Sequence, residues 1–181
     1  LLMSHRVIDI MGQWPGGSVI WMFRNPNDVV DSMFRKWGGD FERISEAVES
    51  DFEGNWELRE LWSNIRNRAE LLADYPSEEQ YWRNVYALFW AERNQLLFDL
   101  QLHSNPRVHI VNYSDFIAAP DLFMRHFRRE VSVSEASWCY PLVTHSSRHR
   151  IDKPRFAPAI QDKCDELYER MTGVSEFPSD P

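Results

Sequence analysis

Cysteine is nearly absent from this chain: Cys139 and Cys164 are the only two among 181 residues. Two thiols exclude a disulfide-built scaffold, and their spacing fits no zinc pattern, so they read as ordinary buried thiols. Positive charge is also scarce, with 20 lysines and arginines against 28 aspartates and glutamates and a formal charge of −8. A general nucleic-acid binder needs a net basic face to displace phosphate counterions. That class is excluded, and any anion site has to be local. No membrane span is readable either, because Asp9, Pro15 and the Gly16-Gly17 pair interrupt the most apolar N-terminal stretch. The sequence shows no signal peptide, internal repeat, low-complexity tract or linker long enough to divide it. What it has instead is 43% hydrophobic and 14% aromatic content, which excludes a disordered chain and fits a single domain over residues 1–181.

The densest information lies in Val19 to Trp37, VIWMFRNPNDVVDSMFRKW. Val19 to Phe23 is a continuous apolar run, the pattern of a strand covered on both faces in a parallel sheet. Arg24 ends it. Asn25 can then cap a helix with Pro26 at its first position, where the missing N–H costs nothing, and with Asp28 at the third position of a capping box. The free N–H groups and positive dipole end of that helix would face the carboxyl end of the strand, beside Arg24 and about two turns before Ser32. A phosphate fits such a place. Taken singly, an arginine at a strand end pairs with a nearby carboxylate, here Asp28, and a serine inside a helix is solvated.

The string Arg24-Asn25-Pro26-x-Asp28-x-x-x-Ser32 resembles the 3′-phosphate-binding motif of the sulfotransferase family, which uses 3′-phosphoadenosine-5′-phosphosulfate (PAPS) as sulfuryl donor. The resemblance implies that Arg24 and Ser32 hold the donor's 3′-phosphate. A second segment, Arg107 to Phe127, is similar to the family segment in which a strand ends in Tyr-Glu-Asp-Leu before a turn, a proline and a helix. Tyr113, Asp115 and Pro120 keep their places, while Ser114 stands where the family has glutamate. By this resemblance Tyr113 is a nucleotide contact near the adenine. Its residue-level alternative is a core tyrosine with a hydrogen-bonded hydroxyl. Asp115 reads as a helix or turn cap.

A third, weaker signal is the basic stretch Thr144 to Phe156, THSSRHRIDKPRF, whose planar guanidinium groups suit bidentate phosphate contacts. It resembles, in position and charge, the basic C-terminal segment that sulfotransferases place over the donor's phosphates. Arg148 and Arg150 are the candidates, against the alternative of a solvated loop. His145 and His149 stand four apart, but Ser146, Ser147 and Pro154 argue against the helix that metal sharing would need, and no metal is expected. His5 is the candidate catalytic base, 19 residues before Arg24, where many family members carry a histidine after a strand. The relatives often have a lysine just before it, where this chain has Leu2, Met3 and Ser4, and the alternative is a surface histidine.

Along the chain the spacing predicts a short strand at Leu1 to Ser4, a helix over His5 to Gln13, a Trp14 to Gly17 turn, the Val19 strand and a helix from Asn25 stopped by Gly38-Gly39. Helices are expected over Phe41 to Ser50, over Asn55 to Asp74, and from a Ser77 cap to about His103 with Trp82, Val85, Phe89, Leu96, Leu97 and Leu100 inward. A second strand is expected at Arg107 to Tyr113. Ala119-Pro120-Asp121 begins a further helix expected to run to about Glu130, with Leu122, Phe123, Phe127 and Val131 on one side.

The expectation is an α/β domain, a parallel sheet flanked by helices, which by resemblance is a sulfotransferase fold akin to P-loop nucleotide hydrolases. It lacks the N-terminal phosphate loop with its lysine, since no Gly-x-x-x-x-Gly-Lys-Ser/Thr string occurs. With Leu1-Leu2 at the start, this implies a sequence that begins inside a longer protein, or a degenerate relative. The implied activity is sulfuryl transfer from PAPS to a hydroxyl or amine on a small-molecule or glycan acceptor. The alternatives are a P-loop nucleotide kinase-like phosphotransferase and a non-catalytic sulfotransferase-like binding domain. The cytoplasm is set ahead of the secretory-pathway lumen, and oligomeric state is left open.

Overall fold

Asp9 in its first turn and a C-terminal turn built on Gly17 bound a short helix, α1 (Val7–Gln13), in which Val7 and Met11 face inward. Gly17 N–H donates to the Trp14 carbonyl at 2.9 Å, and the chain then enters β1 (Val19–Phe23). The computed structural model describes residues 6–37, 59, 63, 77–131 and 156–175. After β1 come α2 (Pro26–Trp37), a long α3 (Glu78–Asp99), a 3-10 turn (Leu102–Ser104), β2 (Val108–Asn112), α4 (Tyr113–Ala118), α5 (Pro120–Val131) and α6 (Pro158–Val174). The helices expected at Phe41 to Ser50 and Asn55 to Asp74, and the strand at Leu1 to Ser4, lie outside the described residues apart from Arg59 and Ser63, both helical.

Among the described residues the sheet has two strands, paired parallel with Val19 opposite Val108 and Phe23 opposite Asn112. The molecule is mostly helical, with this small parallel sheet giving it an α/β character. One expectation about β1 changes: Trp21 and Phe23 are buried, but on the other face Ile20 is 40% exposed and Met22 half-buried, so the second face is only partly covered. An apolar run cannot by itself distinguish those cases, because periodicity disappears when the outward residues are also apolar.

Helix α3 is the axis of the core. Ser77 caps it, its Oγ accepting from Gln80 N–H at 3.2 Å. The helix packs against α2 and α6, and Val85, Ala87, Leu88, Ala91 and Leu97 are all fully buried. Burial of each leucine contributes about 1.5–3 kcal/mol relative to leaving it in water. The sequence predicts a single buried stripe; instead the helix is buried on most sides, while Phe89, Leu96 and Leu100 are only partly covered. It also ends at Asp99 rather than His103, because Gln101 adopts the left-handed conformation at φ 53° and the chain tightens into the 3-10 turn.

Helix α6 was not anticipated, although Ile160, Cys164, Leu167 and Met171 recur at helical spacing and Pro158 stands at its first turn. All four are buried, and the Cys164 thiol contacts the Ala87 carbonyl at 3.6 Å. Cys164 is thus the buried thiol expected of it, while Cys139 lies outside the described residues.

Candidate functional site

Parallel pairing aligns the carboxyl ends of the two strands. With Phe23 opposite Asn112, the next residues, Arg24 and Tyr113, leave the sheet side by side. The Arg24 guanidinium lies over the Tyr113 ring, 5.3 Å from its centroid. Two segments 89 positions apart in the chain therefore meet at one point, where ring and cation attract electrostatically.

The local chemistry after β1 follows the sequence closely. Asn25 Oδ1 accepts from Asn27 N–H at 3.0 Å, Asn25 carbonyl accepts from Val29 N–H at 3.1 Å, and Pro26 opens α2. Asp28, buried in the first turn, accepts from Arg24 Nε at 3.2 Å and pairs with Nη2 at 3.2 Å. Arg24 thus does what an isolated strand-end arginine is expected to do, and any phosphate bound here has to share the guanidinium with Asp28. Asn27 Oδ1 is buried in the same turn without a hydrogen-bond partner. Such an unmade bond costs about 1–3 kcal/mol, and native structures keep few of them.

Ser32 lies on α2 one helical step beyond Asp28, so Arg24, Asp28 and Ser32 follow one another at intervals of four. Its side chain is exposed. Tyr113 is half-buried at the start of α4, whose cap is Asn112: Oδ1 accepts from Ser114 N–H at 3.0 Å and Nδ2 donates to Tyr168 Oη at 3.1 Å. Asn112, rather than Asp115, takes the capping role. Asp115 occupies the first turn, where negative charge complements the helix dipole. His5, Arg148 and Arg150 lie outside the described residues.

Contacts that sequence reasoning missed hold this corner to the core. Trp90, buried in α3, donates its indole N–H to the Arg24 carbonyl at 3.2 Å. Asn94 Nδ2 donates to the Trp90 carbonyl at 2.8 Å, and its Oδ1 accepts from Trp21 Nε1 at 3.3 Å. The available signal was the Trp90-x-x-x-Asn94 spacing, which places an indole donor and an amide on one helix face. A cavity of about 450 Å³ lies at the opposite end of β1, lined by Met11, Trp14, Pro15, Gly17 and Val19, away from Arg24. There Arg107 Nη1 donates to the carbonyls of Met11, Trp14, Pro15 and Gly17 at 2.9–3.4 Å, which fixes the turn entering β1.

Among the described residues no three His, Cys, Asp or Glu side chains gather as a metal site, and no helix is long and apolar enough to cross a membrane. Comparison with protein-family models, with curated proteins and with solved structures gave no match.

Proposed function

We propose that this corner binds the 3′-phosphate of PAPS, in a sulfotransferase domain that passes the sulfuryl group to a hydroxyl or amine acceptor. The observation that carries the reading is the register of β1 on β2, which brings the two family-like segments together as Arg24 over Tyr113. The groups present suit a phosphate: a guanidinium able to form charge-assisted hydrogen bonds stands beside the first turn of a twelve-residue helix with its dipole end positive.

Sulfuryl transfer is an in-line displacement in which positioning and charge do most of the work. The acceptor oxygen or nitrogen bonds to sulfur as the bond from sulfur to the 5′-phosphate oxygen breaks, and the acceptor's proton passes to a base. In this proposal Arg24 and Ser32 anchor the far end of the donor, Tyr113 supports Arg24 and the nucleotide, Arg148 and Arg150 cover phosphate charge, and His5 takes the proton. The second reading, a non-catalytic binding domain of the same fold, draws on the Arg24–Asp28 ion pair, since a guanidinium engaged internally can be purely structural.

Binding of 3′,5′-bisphosphoadenosine compared with ATP and magnesium tests the proposal. Preference for the bisphosphate is expected; preference for the ATP complex would favour the kinase-like alternative. Sulfate transfer assayed on a chain extended upstream, over a broad acceptor panel, separates enzyme from binding domain. No turnover by a folded, nucleotide-binding protein would favour the latter.

A further inference from the structure

The Arg24 carbonyl sits at the junction of β1 and α2. β1 ends at Phe23, and the Val29 N–H of α2 donates to the Asn25 carbonyl, so the oxygen of Arg24 lies between the two elements. This partly buried carbonyl accepts from a side chain 66 positions away, the Trp90 indole at 3.2 Å. Trp90 is itself fixed, since it is 6% exposed and its own carbonyl accepts from Asn94, which also holds Trp21 of β1. The backbone of residue 24 is thus held from the core side, while its side chain lies against Asp28 and Tyr113.

We propose that Trp90 is a positioning residue for anion binding, acting through the Arg24 backbone to set the direction in which the guanidinium meets the 3′-phosphate. This inference rests on the proposed phosphate site. Without the indole donor, the carbonyl turns toward other partners and the peptide between Arg24 and Asn25 rotates with it. That shifts the guanidinium from its place over Tyr113 and the cap of α2 from its place beside it. The effect should appear only for ligands that engage Arg24.

The test measures dissociation constants of the full chain for 3′,5′-bisphosphoadenosine and for adenosine 5′-phosphate, which lacks the 3′-phosphate. Trp90→Phe keeps an aromatic ring and deletes the donor. It should weaken the bisphosphate about five- to tenfold, leave the monophosphate unchanged, and cause no further loss in an Arg24→Ala background. Equal losses for both ligands, or full additivity with Arg24→Ala, would overturn the inference. Should Trp90→Phe fail to fold, the indole N–H resonance of Trp90 in the wild-type protein gives the second readout. It should shift on saturation with the bisphosphate and not with the monophosphate, and an unmoved resonance overturns the inference. A wild-type protein that does not bind the bisphosphate removes the parent reading and this one with it. Binding lost with Arg24→Ala but untouched by Trp90→Phe removes this one alone.

Discussion

Arg24 has a carboxylate on one side, an aromatic face on another and an indole beneath its carbonyl. If this arrangement presents the guanidinium to a phosphate, Arg24→Ala should weaken 3′,5′-bisphosphoadenosine by about 1.5–3 kcal/mol, the scale of a charge-assisted hydrogen bond. Titration calorimetry measures it, and an unchanged affinity would make Arg24 a partner of Asp28 only. Two other residues set the response to alkali. Burial pushes the Cys164 thiol from 9.0 up to about 12, with the Asp165 charge adding to it, and burial pushes Tyr86 from 10.0 up to about 12. Both are buried in their neutral forms, and the unfolded chain releases these protons first. Their contribution is therefore complete below pH 9.0 and is lost as pH rises toward about 12. Urea midpoints should fall across that window, and Cys164→Ala together with Tyr86→Phe should flatten the fall. Cys164 should likewise resist alkylation at pH 8 until the protein unfolds, as peptide mass mapping would report.

The elements divide by how local their causes are. β1 and α2 were legible almost to the residue, because an apolar run, a capping asparagine, Pro26 and Asp28 act within a few positions of one another. The N-terminus of α3 was legible for the same reason, with Ser77 as cap, and Ser77→Ala should cost about 1 kcal/mol in urea unfolding. Its burial was not legible, since α2 and α6 pack against it from distant parts of the chain, which the helix's own pattern does not show. Leu88→Ala should cost about 2–5 kcal/mol, and a smaller loss would mean that the helix lies nearer the surface. Helix α4 was not legible: the strand is expected to run through Tyr113 into a turn, whereas Asn112, the last residue of β2, also caps a helix that starts at Tyr113.

At the scale of the molecule, the proposed anion site has to act locally against a formal charge of −8. Its place outside the carboxyl ends of parallel strands is where open α/β sheets bind ligands. The sequence named Arg24 and Tyr113, but their meeting depends on strand register, and the Trp90 contact depends on the approach of α3; neither is written in local spacing. The most direct test of the central claim, that the two strand ends form one 3′-phosphate site, is calorimetric titration of the wild-type chain with 3′,5′-bisphosphoadenosine and with adenosine 5′-phosphate. The account predicts that the bisphosphate binds at least about tenfold more tightly, one charge-assisted contact's worth. Equal affinity for the two nucleotides would contradict it.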